Sequence, residues 1–323
     1  MRIIIYGVGA VGGTIAVQLS SAGHEVLGIA RGRQLEAVRQ GGLTLHTPQG
    51  SRSARFPVHE HPAEIGFRSG DVVFLTMKGQ DTPGALMQLK SAGASGLPVF
   101  CFQNGVANEP LALRFFDDVY GATVMLPVEM NAPGEISAYF SPKPGGFDIG
   151  RFPSGIDGTA RDVGQALETA GFIVTLREDV MASKYRKLLM NLRNIVEAAI
   201  GDETVRDEWS KRARTEAEGV LKAVGLAWDQ TDSAARDILK VTDIEGRKSS
   251  GSSTFQSVAR GTGSVETDYL NGEIVLLGRL HGIATPVNSA FCRLSTELAG
   301  GRMKPRSAGD DTIRRLLAQE EAS

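Results

Sequence analysis

The hydrophobic pattern divides the chain into two textures. Up to about residue 178, short apolar runs alternate with Gly-punctuated turns: "RIIIYG", "HEVLGIA", "DVVFLTM", "LPVFCFQ", "YGATVML", "FDIGRF" and "FIVTLRE". Several are apolar at consecutive positions, as parallel strands buried on both faces are, and helical patterns fall between them. Together they predict a doubly wound α/β sheet. "LTLHT" and "SARFPVHEH" alternate more and predict antiparallel or edge strands. From about Val180 the period lengthens to that of helices, in "MASKYRKLLMNLRNIVEAAIG", "VRDEWSKRARTEAEGVLKAVG", "VETDYLNGEIVLLGRLHG" and "PVNSAFCRLSTELAG". The expected organisation is an N-terminal Rossmann-like domain over residues 1–178 and an all-helical domain over 179–323.

Composition agrees and removes some function classes. A chain of 323 residues exceeds the size at which one core keeps growing. With 41% hydrophobic and 22% charged residues and a formal net charge of -2, it has no bulk attraction for nucleic acid or anionic membrane, and neither is expected as a partner. "MRIIIYGVGAVGG" enters a strand and Gly turn directly, without the apolar region of a signal peptide, so a cytoplasmic location is expected. Cys101 and Cys292 lack metal-ligand spacing and sit in apolar runs, which reads as core packing with no metal site. The histidines stand in loops, outer strands or at the end of a C-terminal helix, and none suggests a His-based acid.

"IIIYGVGAVGG" carries Gly7, Gly9 and Gly12 in the G-x-G-x-x-G spacing, after an apolar strand and before the helical "TIAVQLSSAG". In that context the three glycines predict a dinucleotide site over Gly7, Val8, Gly9, Ala10, Val11 and Gly12, with the pyrophosphate at the helix N-terminus. An NAD site places Asp or Glu at the end of the second strand. "EVLGIARGR" offers Ala30, Arg31 and Arg33 instead, which suits the 2'-phosphate of NADP. Two further strand ends, "FLTMKGQ" and "FCFQNGV", face the same sheet edge. Lys78 there meets a phosphate or carboxylate, or simply opens a loop. Asn104 before Gly105 holds the nicotinamide ribose or the substrate, or only forms a turn.

"KYRKLLMNLRN" sets amides on the polar side of an amphipathic helix. Positions i+4 and i+7 return to about 40° and about 20° of position i, so Lys187, Asn191 and Asn194 make one stripe and Leu188, Leu189, Leu192 and Ile195 pack. Such amides donate to a carboxylate and accept from a hydroxyl without adding charge. The alternative is a solvated face that carries a poor helix former.

The Gly-rich start, Arg31, "TMKGQ", "QNGVANE", "KYRKLLMN" and "TDYLNGEIVLLGRLHGIATP" together resemble the ketopantoate reductase (2-dehydropantoate 2-reductase) family over nearly the whole chain. The resemblance implies a Rossmann domain, a helical C-terminal domain of the 6-phosphogluconate dehydrogenase C-terminal type, NADPH, and reduction of a 2-keto acid to a 2-hydroxy acid, most directly 2-dehydropantoate to pantoate in pantothenate biosynthesis. It maps the general acid to Lys187, a substrate-binding amide to Asn191, a carboxylate contacting substrate or cofactor to Glu266, and a carboxylate-binding serine to Ser253. Chemistry agrees: hydride arriving at a ketone carbon makes an alkoxide, which a lysine can neutralise and protonate.

Some residues depart from the family pattern. Its second asparagine, eight residues after the lysine, is Ile195 here, with Asn194 one place earlier. The loop from Gln256 to Glu266 is one residue longer, and "VMLPVEMNAPGEISAYF" differs as well. These changes bear on the substrate and leave the nucleotide half intact, so a paralogue acting on another 2-keto acid stays open. A β-hydroxyacid or opine-type dehydrogenase, and a non-catalytic NADPH-binding sensor, are the other readings. The small-molecule 2-keto acid is the expected partner, and the apolar helices would permit a homodimer.

Overall fold

The computed structural model of the protein describes residues 1–248, 251–259 and 266–321. Strand β1 (Arg2–Tyr6) leads into α1 (Ala10–Ser21), β2 (Glu25–Ile29) and α2 (Gly32–Gly41). A hairpin of β3 (Leu43–Thr47) and β4 (Gly50–Ala54) precedes β5 (Val58–His59), β6 (Asp71–Leu75), α3 (Thr82–Ser91), β7 (Val99–Cys101) and α4 (Asn108–Ala112). Then come β8 (Val119–Met125), β9 (Val128–Ala132), β10 (Glu135–Ala138), β11 (Phe140–Ser141), β12 (Gly146–Arg151), α5 (Gly158–Thr169) and β13 (Ile173–Leu176).

The main sheet has eight strands in the order β13-β12-β8-β7-β6-β1-β2-β5. All pairings are parallel except β8 with β12. The apolar runs read from the sequence supply its strands because both faces are covered. Ile3, Ile5, Phe74 and Phe100 pack on one side, and Ile4, Val73, Leu75 and Val99 on the other. Strand order leaves β1 in two directions, toward β2 and toward β6. That reversal opens a crevice at the carboxyl ends of β1 and β6, the favoured ligand position in such sheets. Of the alternating segments, "LTLHT" is β3 and the start of "SARFPVHEH" ends β4, in a separate four-stranded sheet β4-β3-β10-β9 with one parallel pairing between β3 and β10, while Val58–His59 is β5, a parallel edge strand of the main sheet. The four-stranded sheet covers α1 so closely that a Cβ on Gly13 would overlap side-chain atoms of Ile136 and Leu43.

Helices α6 (Val180–Asn191), α7 (Arg193–Ala199) and α8 (Glu203–Ala223) open the second half; β14 (Lys240–Val241) and α9 (Ser253–Ala259) follow, then α10 (Asn271–His281), α11 (Pro286–Ala299) and α12 (Asp310–Glu321). The chain forms two compact units, Met1–Lys184 with Gln230–Ser249, and Tyr185–Asp229 with Ser250–Ser323. The division at residues 178/179 expected from texture takes no account of the return of Gln230–Ser249 to the first unit. Strand pairing and buried charge are among the attachments that hold that return. Strand β14 pairs antiparallel with β11, and Arg236, buried, donates to Asp148 in β12 at 2.9 Å and also binds Asp232. In the second unit, Trp209, Phe291, Leu294, Ile195 and Val196 form the core, and Trp209 Nε1 donates to Asp310 at 2.9 Å. Among the described residues no helix is long and apolar enough to cross a membrane, and no His, Cys, Asp and Glu cluster could hold a metal.

Candidate active site

At the β1–α1 turn the three glycines answer to three different constraints. Gly7 has φ +108°, and a Cβ there would stand 2.8 Å from the Met77 nitrogen. On Gly12 a Cβ would overlap Thr76 Oγ1 and the Gly7 carbonyl; Thr76 Oγ1 itself donates to the carbonyls of Tyr6 and Gly7 at 3.0 and 2.8 Å. Gly9 meets nothing nearer than the Gly7 oxygen at 4.0 Å, so its space is kept by no protein atom. The buried Val8 gives its carbonyl to Gln34 at 2.9 Å, and Ala10 and Val11 begin α1. Helix α1 has no side-chain cap and no acid in its first turn. Its N-terminal amides and dipole therefore suit a pyrophosphate. At the end of β2, Arg31 is the N-cap residue of α2, 74% exposed, with Asp81 at 3.7 Å as its ion partner. The neighbouring Ile29 and Ala30 offer no carboxylate to a ribose.

The ends of β6 and β7 are tied by a buried polar network. Gln103 Nε2 donates to the Met77 carbonyl at 2.9 Å and to Thr82 Oγ1 at 2.7 Å; Thr82 donates to Asn108 Oδ1 at 2.9 Å, and Asn108 Nδ2 to the Asn104 carbonyl at 3.2 Å. Lys184 Nζ donates to the Gln103 carbonyl at 3.0 Å and pairs with the Glu109 carboxylate, with 2% and 0% of the two side chains exposed. Burial pushes the Glu109 carboxyl above its ordinary range while Lys184 pulls it down. Burial and Glu109 push the Cys101 thiol well up. Gly121 in β8 leaves room for this arrangement, since a Cβ there would lie 2.9 Å from Val180 and 3.4 Å from Lys184 Cδ. Lys78 and Asn104, both half-buried, directly follow the two tethered carbonyls. Gly7, Gly9, Gly12, Lys78 and Asn104 thus share one edge of the first unit, the carboxyl ends of β1, β6 and β7.

In the second unit Lys187 is half-buried on α6 and Asn191, one turn on, is 6% exposed. Among the described residues Asn191 Nδ2 is buried with no hydrogen-bond partner. The expected unbroken stripe is interrupted at Leu192, between α6 and α7, and Asn194 falls on α7. Asn271 lies against this junction. Its Nδ2 reaches the Leu192 carbonyl at 3.4 Å and Asn288 Oδ1 at 3.0 Å. Asn288 in turn donates to Glu216 at 2.8 Å, whose carboxylate also receives the Val287 and Asn288 amides at the start of α11. Leu192 keeps right-handed helical angles, φ -57° and ψ -28°, so hydrogen bonding is broken but not direction. Asn194 is half-buried, and its carbonyl accepts from Ser252 Oγ at 3.3 Å. Ser253 is the first residue of α9, and Glu266 the first of a 3-10 turn, Glu266–Tyr269. Most of the lengthened loop before Glu266, residues 260–265, lies outside the described residues. Ile195, at the i+8 position, is buried in the core of this unit.

Lys184, Glu109 and Gln103 escape a reading by sequence pattern, because a lysine on a helix and a glutamate after a turn both read as solvated. The one local signal is that Glu109 closes "QNGVANE".

Two family models match the chain: Ketopantoate reductase PanE/ApbA over residues 3–154 and Ketopantoate reductase PanE/ApbA C terminal over residues 179–299. The chain is similar to the 2-dehydropantoate 2-reductase of Archaeoglobus fulgidus, 27% identical over 311 residues that cover 93% of this chain and 98% of that protein. Its likeness to the enzyme of the same name from Mesorhizobium japonicum is 29% identity, over 93% of this chain and 98% of the other. A PanE/ApbA family ketopantoate reductase from Ralstonia eutropha JMP134 superposes with a TM-score of 0.77 at 27% identity, over 94% and 99% of the two chains. D-mandelate dehydrogenase, in a ternary structure with NADH and anilino(oxo)acetate, shares the fold at a TM-score of 0.75 and 20% identity, over 98% and 99%. With both halves matched, the chain belongs to the ketopantoate reductase PanE/ApbA family of Rossmann-fold oxidoreductases.

Proposed function

We propose that this chain reduces a 2-keto acid to the 2-hydroxy acid with NADPH, and that 2-dehydropantoate, giving pantoate, is its substrate. Family membership and the names of its relatives support nicotinamide-dependent keto-acid reduction. The observation that carries the reading is the buried, partnerless Asn191 amide one helical turn beyond the half-buried Lys187. A buried donor left unpaired costs stability, and a substrate oxygen would satisfy it.

The roles follow from the chemistry of each group. The bound dinucleotide supplies a hydride to the keto carbon. Gly7, Gly9, Gly12 and the first turn of α1 hold its pyrophosphate, and Arg31 binds the 2'-phosphate, in place of the carboxylate that would select NAD. Lys78 and Asn104 meet the cofactor or the substrate at the same sheet edge. Lys187 neutralises the oxygen as negative charge builds there, gives it a proton, and recovers one from solvent. Asn191 and Asn194 donate to the substrate, Ser253 to its carboxylate, and Glu266 accepts from the hydroxyl being formed. Ile195 favours a second reading, a different 2-keto acid, because the pocket lacks an amide at that position.

The test is NADPH oxidation with 2-dehydropantoate and a panel of branched 2-keto acids, repeated with Lys187→Ala. The expected result is turnover that Lys187→Ala lowers by about 100-fold or more. Tight NADPH binding without turnover of any keto acid would refute the enzyme, and a near-full rate in Lys187→Ala would refute the acid.

A further inference from the structure

Gln103 is bonded so as to fix two peptides, its own with Asn104 and that of Met77 with Lys78. Its carbonyl belongs to the peptide whose nitrogen is that of Asn104, and Lys184 Nζ holds this oxygen at 3.0 Å. Its side-chain amide holds the Met77 carbonyl at 2.9 Å, part of the peptide whose nitrogen is that of Lys78. The far side of Asn104 is held as well, since its carbonyl accepts from Asn108, which is bonded through Thr82 back to Gln103. Lys78 and Asn104, in the turns that follow different strands of the sheet, are therefore set by one closed circuit.

The circuit contains a buried ion pair that packing alone does not call for. Glu109 and Lys184 are essentially without solvent exposure. Withdrawing both charges from water costs more than apolar side chains of similar size would, so such a pair is a poor source of stability. What it provides here is direction. Glu109 fixes the ammonium, which then has one course toward the Gln103 carbonyl, in a region where Gly121 clears the way.

We infer that Lys184, Glu109 and Gln103 are positioning residues that set the Lys78 and Asn104 turns for cofactor and substrate. The inference rests on the proposed roles of Lys78 and Asn104. Its test is the double variant Lys184→Met with Glu109→Leu, which removes the pair without stranding a buried charge, with Lys184→Arg as the conservative rescue. Melting temperature, kcat, KM for NADPH and the keto acid, NADPH binding, and amide exchange over residues 76–82 and 102–109 are the readouts. The double variant is expected to stay folded, to exchange faster in both segments, to bind NADPH more weakly, and to lose about 10- to 100-fold in kcat. Lys184→Arg recovers much of that loss. Unchanged exchange and kinetics in the double variant would overturn the inference. Should it not fold, Gln103→Met, which cuts only the side-chain bonds, decides by the same readouts. If the wild-type protein turns over no keto acid, the functional reading fails, while exchange and NADPH binding still decide whether the circuit positions the turns.

Discussion

Asn191→Ala separates a binding group from a structural one. Among the described residues Asn191 Nδ2 is buried without a partner, and the residue lies at the end of α6. An orphaned buried donor costs about 1–3 kcal/mol. Alanine removes it and adds up to about 0.7 kcal/mol of helix propensity, against roughly 1 kcal/mol lost to the space left behind. The net is about 0–2.7 kcal/mol of added stability, or a rise in Tm of up to roughly 10 °C. The same change deletes a hydrogen bond to a charged substrate. At about 1.5–3 kcal/mol, that lowers kcat/KM roughly 10- to 150-fold. Calorimetry and NADPH-oxidation kinetics on one preparation read both quantities. A fall in Tm of several degrees with an unchanged rate would sink the reasoning, because Asn191 would then be serving the fold.

Three shorter predictions test other parts of the structure. Gly9→Ala should keep the wild-type Tm and lose NADPH binding, whereas Gly12→Ala should lower Tm because its Cβ overlaps Thr76 and Gly7; equal effects in thermal shift and cofactor titration would contradict the assigned constraints. Arg31→Ala should raise KM for NADPH about 10- to 100-fold and leave KM for NADH nearly unchanged, as expected for loss of a charge-assisted phosphate contact; parallel changes in both would remove the 2'-phosphate assignment. Burial opposes ionisation of Asp157, yet the Ala160 amide, Tyr120 hydroxyl and Arg151 together hold its carboxyl below the usual range. A depressed folded value stabilises above the unfolded one and is lost as pH falls through it. The gap in denaturant stability between wild type and Asp157→Asn should therefore be full at neutral pH and close below about pH 4; a gap that widens in acid would reverse the sign.

The sequence reveals what is local. A short run of consecutive β-branched residues such as Ile3 to Ile5, closed by a Gly turn, favours a strand covered on both faces, and three glycines between a strand and a helix allow few turns. What it conceals is set by contacts distant along the chain. Nothing near Arg236 announces that its guanidinium returns to Asp148, and that return takes Gln230–Ser249 back to the first unit. The interruption of the Lys187 helix is likewise not announced by its own residues, and the side chain that reaches it, Asn271, lies 79 residues on. Lys184 and Glu109 look like surface charges until each is found to be the other's partner. The glycine turn and the Lys187–Asn191 spacing of the candidate site were legible, and the scaffolding that orients Lys78 and Asn104 was not.

The course of the main chain between the two units has a consequence for dissection. Because the chain leaves the first unit at Lys184 and re-enters it at Gln230, the helices of Tyr185–Asp229 are an excursion and not the beginning of an appended tail. A fragment ending at Lys184 would take Arg236 from Asp148, leaving it the Ser183 hydroxyl, and would take β14 from β11. The nucleotide-binding half is therefore not separable by a single cut. An autonomous version needs Gln230–Lys248 grafted back by a short linker, and exchange of the helical half between relatives must respect two splice points.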